Sequence, residues 1–533
     1  MPEFERSEEL SPDDVTDTFP VVVIGGGLAG LAAAAHLSAR GVPPLILEAS
    51  SAWAGGRLCG GDPDIFDHNG RTWSFKPDHG VHALWGGYVN MRAMLERFTS
   101  IQLQLSSGEE WINRWRRDVH RVEAGNAVRS GWIPAPFHYL QLLFRPRFWL
   151  TINPLDFLSL PGFLFSVLWT VGLDPLKEQI ALDGLMMSEY FRGWTPNLRA
   201  TFTGLGANLL AANPESISLT AFIAALRFYT LLRKDAWKMW YLPGNSHDYL
   251  IQPLIDHIEQ SGGQIVMGAT AQSIERHNSG WRVVFEDDAR RGLRSIFTEH
   301  VILAINAPAA QRLLSASPDF APPAEKIQFP KALRTVAVRL WFNKQPREGA
   351  SSGMCTGDFQ IDNFFWLHRL YDEFADWRDQ GGSAVEVHIY GSETMLDQSD
   401  ANLLIVAVNE IQNAFPELRG HFVHGAVRRN SRTHTRFRVP DSNSLSVVTP
   451  WIGVYACGDW IGYTTPSFWM ERATTTGIAA ANEVLKNTGH QLFPVLQPPE
   501  PELLVRLLAL LVRGIRLIFR PVVAGLRRLR HRK

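Results

Sequence analysis

Few cysteines and almost no net charge characterise this chain of 533 residues. It has three cysteines, Cys59, Cys355 and Cys457, and none of them belongs to a CxxC pair. This pattern excludes a disulfide framework and a zinc site, predicts no metal centre, and favours a reducing compartment such as the cytoplasm. The formal net charge of −1 argues against nucleic acid as a partner of the whole surface.

The chain also has no leader-like beginning and no long uninterrupted apolar run. Residues 1–19 hold seven acidic residues against Arg6 alone, the reverse of a signal or transit peptide, and predict a disordered acidic arm. Residues 132–176 are rich in Phe, Leu and Trp, but prolines and charges interrupt them before the ~20 residues that a spanning helix needs. We therefore expect no membrane span there. The region forms either an ordinary helical core or an apolar lid for a lipid-soluble substrate.

Residues 21–48 carry the most informative pattern, which is strand, glycine turn, helix and strand. The β-branched run 21–24 predicts a buried parallel strand, and the alanine-rich run 31–39 predicts a helix. An acidic residue ends the second strand, where a dinucleotide-binding unit places the acid that holds the adenosine ribose. The predicted nucleotide-binding residues of this segment are Gly25, Gly27, Leu28, Ala29, Gly30 and Glu48.

The three glycines of the G-x-G-x-x-G motif have different physical tasks. Gly25 makes the tight turn, and Gly27 lets backbone N–H groups approach a pyrophosphate. Gly30 lets the helix pack closely on the strand.

Two further segments resemble the flavin amine oxidase and carotenoid desaturase superfamily. "SSAWAGGRLCG" contains Gly55, Gly56 and Arg57, and in this superfamily such an arginine and its neighbouring backbone lie against FAD phosphates. "VYACGDWIGYTTPSFWMERATTTGIAAANEVL", residues 454–485, is similar to the second FAD segment. The resemblance implies an aspartate on the ribityl chain and a helix N-terminus facing the flavin ring. It adds four cofactor-binding residues, Gly458, Asp459, Met470 and Glu471.

FAD motifs near both ends of the chain imply a discontinuous domain. We expect an α/β protein (α+β overall) in which a Rossmann-like FAD-binding domain of the amine oxidase/GDI-like type carries an inserted substrate domain. The predicted parts are the acidic arm (1–19), three FAD-binding segments (20–98, 241–315 and 451–487), a substrate and membrane-facing part with apolar helices (99–240), the sheet part of the substrate domain (316–450), and a linker with a basic amphipathic helix (488–533).

The C-terminal segment 502–533 holds nine Lys and Arg against one Glu. On a helix, five arginines fall within about 80° of the circumference and apolar residues fill the rest. This pattern predicts a helix in the interface of an anionic membrane, with the protein peripheral on the cytoplasmic face. The alternative is a helix docked on the protein's own core with a solvated basic edge. Pro521 is expected to break the helix into two pieces. The five arginines are Arg506, Arg513, Arg516, Arg520 and Arg527.

Two stretches narrow the resemblance within the superfamily. Residues 62–98, with "HGVHALWGGYVN", resemble the plant and cyanobacterial ζ-carotene desaturase type. Residues 469–482 are similar to β-carotene desaturase/methyltransferases of the isorenieratene synthase type, which turn a β-ionone ring into an aromatic ring. The resemblance implies an FAD-dependent oxidoreductase that desaturates a carotenoid, or another long apolar lipid, at a membrane.

Ring aromatisation would need a hydride acceptor, a stabilised cation and a base. The flavin takes the hydride, because no amino-acid side chain accepts one. Aromatic faces stabilise a cation in an apolar pocket, which makes Trp85, Tyr88 and Trp469 candidates. His79 and His82 are candidate bases; Glu471 could also act as one, although we assign it to FAD. No second G-x-G-x-x-G is present for NAD(P)H, which favours a quinone or oxygen as electron acceptor.

Other functions fit the same motifs. The first alternative is a linear carotene desaturase or a cis-trans carotene isomerase. A second is another flavin oxidase, acting on a squalene-type lipid or an amine. A third, from a different class, is a lipid-binding escort protein similar to the Rab GDP-dissociation inhibitors, which share this fold without redox chemistry.

Overall fold

The computed structural model describes residues 17–115, 118–178, 182 and 184–530. Two seven-stranded sheets, a hairpin and a three-stranded sheet organise this part of the chain. Its strands are β1 (Asp17–Ile24), β2 (Pro44–Glu48), β3 (Asp64–His68), β4 (Arg71–Phe75), β5 (Leu84–Trp85), β6 (Gln104–Leu105), β7 (Glu109–Trp115), β8 (Asp118–Glu123), β9 (Met239–Tyr241), β10 (Gln264–Met267), β11 (Ala269–His277), β12 (Gly280–Asp287), β13 (Gly292–Leu303), β14 (Ala332–Phe342), β15 (Ser352–Gly357), β16 (Asn363–Trp366), β17 (Ser383–Ile389), β18 (Phe422–Thr435) and β19 (Val454–Ala456).

Helices cover both large sheets. Short 3-10 turns connect several of them, including those at His138–Phe144, Pro146–Leu150 and Pro154–Ser159. The α-helices are α1 (Leu28–Ser38), α2 (Val89–Phe98), α3 (Gly125–Ser130), α4 (Leu160–Gly172), α5 (Pro196–Leu210), α6 (Leu219–Leu226), α7 (Gln252–Gln260), α8 (Ala307–Ser315), α9 (Leu367–Leu370), α10 (Ala375–Asp379), α11 (Glu393–Leu396), α12 (Asp400–Ala414), α13 (Trp469–Asn487) and α14 (Leu503–Arg530).

The first large sheet is the nucleotide-binding type that the glycine motif predicts. Its order is β10-β2-β1-β13-β12-β11, and β19 pairs in parallel with the end of β13. Five of its strands run parallel, namely β1, β2, β10, β13 and β19. Their carboxyl ends, from distant parts of the chain, therefore lie at the same edge of the sheet. The predicted α/β fold with a discontinuous Rossmann-like domain is confirmed.

α1 is buried on every side because it lies between this sheet and α13. Its alanines and Gly30 permit that close approach. The partner helix is equally tight, since a Cβ on Gly477 would lie 2.6 Å from the carbonyl oxygen of Ala29.

The second large sheet has the order β18-β14-β17-β16-β15-β7-β8. Most of it comes from the region after residue 316, as predicted for the sheet part of the substrate domain. β7 and β8, however, come from 99–240, the part for which the sequence predicted apolar helices. The two strands complete the sheet because β7 pairs in parallel with β15.

The N-terminal arm ends earlier than predicted. Asp17–Phe19 belong to β1 and pair with Ile296–Thr298, so the predicted arm is wrong for residues 17–19. The long partner strand β13 extends the ladder beyond the β-branched run from which we predicted the strand. Residues 1–16 lie outside the described part.

The apolar region 132–176 contains a longer helix than we expected. Pro154–Gly172 form a continuous helical stretch of 19 residues that is long and apolar enough to cross a membrane by length and composition alone. The prolines do not interrupt this stretch, because Pro154 and Pro161 occupy first-turn positions, where proline starts a helix rather than breaking it. The absence of a membrane span here stays a prediction. Part of the stretch is buried, and α4 packs against α14.

α14 continues through Pro521, so the predicted break there is wrong. A proline in a helix removes one backbone hydrogen bond, and here the backbone stays helical on both sides. One face of the helix docks on the protein, where Val505 is 1% exposed and packs with Val167 and Val171 of α4. This face of the helix therefore fits the alternative in which the helix docks on the protein's own core.

Candidate functional site

A cavity of about 820 Å³ lies at the carboxyl ends of β1, β2, β13 and β19 and extends to the second sheet. The carboxyl edge of a doubly wound parallel sheet is the usual place for a bound nucleotide. Gly25 and Glu48 line one part of the cavity, and Trp111 and Tyr390 line another. The nucleotide edge and the substrate side thus belong to one continuous space.

The glycine turn after β1 is held by close backbone contacts. Gly25 has a φ of +106°, and a Cβ there would lie 2.6 Å from the carbonyl oxygen of Ala304. A Cβ on Gly30 would lie 2.0 Å from the carbonyl oxygen of Gly25. A Cβ on Gly27 would meet no described atom within 4 Å, because this residue borders the cavity.

The N-terminus of α1 provides a site for an anion. Gly27 is its N-cap, and within the described residues neither a capping side chain nor a first-turn acid satisfies the first N–H groups. Leu28 and Ala29 line the cavity beside it. Unsatisfied N–H groups and the helix dipole together favour a phosphate at this position.

Glu48 lies at the end of β2 and faces the same cavity. Its Oε2 accepts a hydrogen bond from Gly26 N at 2.8 Å, and its Oε1 accepts one from Ser50 N at 2.8 Å. These two bonds fix the carboxylate at the cavity wall. Its remaining lone pairs suit the hydroxyl groups of a ribose.

The first and last predicted FAD segments meet through an ion pair. Gly55 forms a bridge to Gly27, and Gly55 and Gly56 both adopt positive φ. This turn delivers Arg57, whose Nη2 lies 2.8 Å from Oδ1 of Asp459. Gly458, Asp459, Gly55, Gly56 and Arg57 all line the cavity.

The hydrogen bonding of Asp459 leaves one carboxylate oxygen available to FAD. Its Oδ1 is used by Arg57 and by the Thr435 hydroxyl at 3.1 Å, whereas its buried Oδ2 has no hydrogen-bond partner in the described chain. A buried unpaired acceptor is costly unless a ligand satisfies it. A ribityl hydroxyl is a donor of the right type, and the free N–H groups of α1 suit the pyrophosphate. The residues present therefore fit FAD.

Trp469 begins α13 in a strained conformation, with a φ of +47°. Its indole N–H donates to the carbonyl oxygen of Leu209 at 3.1 Å, and its ring stacks on His434 at 4.6 Å. Trp469 and Met470 both line the cavity. The start of this helix thus faces the cavity, as the second FAD motif implies.

Glu471 does not face the cavity. Its carboxylate accepts hydrogen bonds from the backbone N–H groups of Asn90 and Met91 at 2.9 Å each, and from the Asn90 side chain at 2.8 Å. It therefore ties α13 to the start of α2, where unsatisfied N–H groups attract an acid. The geometry contradicts its assignment to FAD and its alternative role as a base.

His79 and His82 both line the cavity as neutral side chains. Burial lowers the pKa of His79 to about 4 and that of His82 to about 3. Nδ1 of His82 is buried and lacks a hydrogen-bond partner among the described residues. Both are weak bases in this structure.

Trp85 and Tyr88 belong to an aromatic group on the cavity wall. The Trp85 ring lies 4.8 Å from the ring of Tyr229, and the Tyr88 hydroxyl lies 3.1 Å from the Tyr229 hydroxyl. Phe468, the residue before Trp469, packs on Tyr229 at 5.4 Å. Trp85 and Tyr88 therefore share Tyr229 as a neighbour, and Trp469 lines the same cavity one residue beyond Phe468.

The sequence interpretation missed three residues on and just after β17. Glu386, His388 and Tyr390 alternate with apolar residues, so their side chains share one face of the strand. His388 Nε2 lies 2.9 Å from Glu386 Oε1, and His388 Nδ1 lies 2.9 Å from the Tyr390 hydroxyl oxygen. His388 and Tyr390 line the cavity. The alternation of polar residues in "EVHIY" was the available signal.

Glu386 is a buried charge held by several partners. Burial opposes its ionisation, but Arg339 and then His388 outweigh that effect and lower its pKa to about 2. Arg339 Nε donates to Oε2 at 2.7 Å, and Val81 N donates to Oε1 at 2.5 Å. This carboxylate is therefore ionised at neutral pH and acts only as an acceptor.

Comparison with known proteins supports the nucleotide assignment. A family model described as flavin containing amine oxidoreductase matches residues 28–485. A carotenoid phi-ring synthase of Streptomyces griseus is 25% identical over 484 residues, which cover 89% of this chain and 89% of that protein. A 15-cis-phytoene desaturase of Capsicum annuum is 23% identical over 419 residues, 75% of this chain and 66% of that protein. The chain thus spans about two thirds of that desaturase.

The solved structures agree on the fold. Cyclohexylamine oxidase from Brevibacterium oxydans IH-35A has a TM-score of 0.64 at 16% identity, with 89% of this chain and 100% of that chain covered. At this identity the likeness concerns the fold alone. Together with the family match over most of the chain, it shows that this protein belongs to the flavin-containing amine oxidoreductases and is an FAD-dependent oxidoreductase related to the carotenoid desaturases.

Proposed function

We propose that the protein oxidises a carotenoid at a membrane and, more specifically, that it aromatises a β-ionone end ring with a methyl shift. The observation that carries this proposal is the continuous cavity, which joins the FAD-binding edge to an aromatic wall containing Trp85 and Tyr88. The similarity to a carotenoid phi-ring synthase over 89% of both chains supports the choice of reaction.

The chemistry divides between the cofactor and the wall. Bound FAD supplies the hydride acceptor, and a quinone or oxygen is the proposed oxidant that restores it. Hydride loss leaves a ring carbocation, and a methyl group then moves with its bonding electrons from the gem-dimethyl carbon to the neighbouring carbon. Trp85, Tyr88 and Trp469 line the cavity, and we assign their aromatic rings to stabilising the cation. Loss of a proton then forms one ring double bond. A second removal of a hydride and a proton, after the oxidant has restored FAD, forms the third ring double bond and completes the aromatic ring.

The membrane part of the proposal rests on the outer face of α14. Leu510 and Leu517 are each 66% exposed. They lie about 120–140° around the helix from Val505, and Arg506 and Arg513 border one edge of this apolar stripe. Exposed apolar residues also continue over the 3-10 turns and α4. Such a surface suits the interface of an anionic membrane. The exposed members in 132–165 are Trp132, Phe144, Trp149, Leu150, Leu155, Phe157, Leu158, Leu160 and Phe165.

The function is tested by expression in a bacterium that accumulates β-carotene, followed by chromatography and mass detection of the extracted pigments. The expected product has lost hydrogens only in its end rings. A Gly27→Val variant, expected to lack FAD, is the matched control. Unchanged β-carotene alongside a flavin-loaded protein would contradict the ring proposal.

A linear carotene is the second candidate substrate, because a phytoene desaturase is among the similar proteins. Oxidation of phytoene or ζ-carotene in the same host, with β-carotene untouched, would favour this candidate. The carotenoid proposal itself would fail if the flavin-loaded protein left every carotenoid unchanged.

Membrane binding is tested by sedimentation with vesicles of phosphatidylglycerol and phosphatidylcholine. Truncation at residue 502 is unsuitable because the Glu502 carboxylate accepts N–H bonds from Ala135 and Lys234 at 2.9 Å each. A Leu510→Glu/Leu517→Glu variant alters only the outer face. It should stay in the supernatant with its flavin bound, whereas Ile452→Glu, at an exposed site outside the helix, should pellet like the unmodified protein. If both variants pellet equally, the exposed apolar residues of 132–165, and not α14, would be the proposed membrane anchor.

A further inference from the structure

The strand face of β17 carries a hydrogen-bonded chain of a carboxylate, an imidazole and a phenol. Glu386 is ionised and therefore accepts the hydrogen of His388 Nε2. In the neutral state of the imidazole, Nδ1 is then the acceptor, and the Tyr390 hydroxyl donates to it. The phenol oxygen, which also accepts a hydrogen bond from Asn363 Nδ2 at 3.3 Å, is the end of the chain on the cavity wall.

The surroundings hold this chain in place. Arg339 and the N–H of Val81 fix the Glu386 carboxylate, and Val81 belongs to the segment that carries His79 and His82. Gly80 leaves room for the imidazole, since a Cβ there would lie 3.0 Å from His388 Nε2. A base oriented by a third, buried group is the arrangement by which proteins activate a hydroxyl group.

We propose that Tyr390 and His388 form the proton-accepting relay of the ring oxidation, with Glu386 as the positioning residue. This inference rests on the proposed function. Once the ring carbocation has formed and the methyl group has shifted, a ring C–H bond breaks and its electron pair becomes the new ring double bond. The proton passes to the Tyr390 oxygen while the phenol proton passes to His388 Nδ1. The imidazolium then faces the Glu386 carboxylate until the proton leaves to solvent.

The relay explains why His79 and His82 are poor candidates for the base. Both are neutral, and the structure gives His82 Nδ1 no described partner that would stabilise an imidazolium. His388, in contrast, has a carboxylate in hydrogen-bond contact. A base needs such a partner when it becomes charged in an apolar cavity.

The test compares Tyr390→Phe and His388→Gln with Tyr241→Phe. Tyr241 is the matched control because its buried hydroxyl has a single side-chain oxygen partner, Ser352, at 3.0 Å, and it does not line the described cavity. Flavin content, thermal unfolding and quenching of tryptophan fluorescence by β-carotene establish that each variant is folded, loaded and able to bind. These three measurements should match the control.

The decisive measurement is single-turnover product formation with each carotenoid that the unmodified protein oxidises. We expect Tyr390→Phe and His388→Gln each to lower this rate by roughly 10²- to 10⁴-fold, the usual contribution of proton transfer. The rate of flavin reduction should fall less than the rate of product formation. The double variant should form product no more slowly than either single variant, since the two residues act as a unit.

The outcomes separate the two proposals. Product formation in Tyr390→Phe at the rate of Tyr241→Phe would overturn the relay and leave the proposed function standing. Additive losses in the double variant would also overturn it, because they indicate separate structural effects. An unmodified, flavin-loaded protein that oxidises no carotenoid would refute the proposed function and the relay with it.

Discussion

Gly27 and Gly30 belong to one motif, yet the structure predicts opposite consequences for an alanine at each. Gly27 has a φ of −74° and a ψ of 175°, which alanine adopts freely, and its Cβ would enter the cavity. Gly27→Ala should leave the free energy of unfolding of the flavin-free chain unchanged or raise it by about 0.4–1 kcal/mol. A methyl group at this point would block the approach of a phosphate to an N–H donor. Loss of one charge-assisted hydrogen bond, ~1.5–3 kcal/mol, lowers FAD affinity roughly ten- to a hundredfold.

Gly30→Ala should instead destabilise the chain itself. Its Cβ would lie 2.0 Å from a carbonyl oxygen, so α1 must shift away from β1, at a cost of about 1–3 kcal/mol or more. Urea unfolding of the flavin-free proteins and flavin titration followed by fluorescence measure the two effects separately. If Gly27→Ala retains the FAD affinity of the unmodified protein, the pyrophosphate does not lie at this turn and the reasoning is refuted.

Three further predictions concern other parts of the cavity. Glu48→Ala removes the acceptor for the ribose and should release flavin during gel filtration, whereas stoichiometric flavin would contradict that role. Asp459→Asn keeps the shape but weakens the pairing with Arg57, so FAD affinity measured by flavin titration should fall about tenfold or more. His82 has a pKa of about 3 when folded against 6.5 as its ordinary value, so only the unfolded chain gains a proton between these values. The free energy of unfolding should therefore fall as the pH falls from 6.5. His82→Asn should make this fall smaller between pH 6 and pH 4, as measured by urea unfolding at each pH. An equal fall in the variant and the unmodified protein would show that His82 is solvated when folded.

The nucleotide edge could be predicted from sequence because its geometry is local. The glycine motif, the strand before it and the acid after it lie within 28 residues. The pairing of Arg57 with Asp459 joins residues about 400 positions apart, and only the resemblance to a family suggested that they meet. Sheet order decides such contacts, since β19 pairs with the end of β13 although most of the second sheet lies between them in the sequence.

Other features depend on which way a side chain points. Met470 and Glu471 are adjacent at the start of α13, but successive helix positions are about 100° apart, so one faces the cavity and the other faces α2. The sequence motif assigns both residues to the FAD site because it does not specify in which direction each side chain points. The three polar residues on and just after β17 could not be predicted as a site for a similar reason. Alternating polar residues indicate that side chains share one face of a strand, but not which part of the protein that face contacts.

The proposed membrane surface and the aromatic wall form one packed unit. α14 packs on α4, and the carbonyl oxygens of Thr170 and Val171 at the end of α4 accept hydrogen bonds from Arg227 at 2.7 and 2.9 Å. Two residues further along the chain, Tyr229 contacts Tyr88 on the cavity wall. In the proposed function, α14 and α4 would lie between the membrane and the aromatic wall of the cavity. On that proposal, an apolar substrate would exchange the bilayer for the cavity without crossing water, which avoids the cost of exposing its apolar surface.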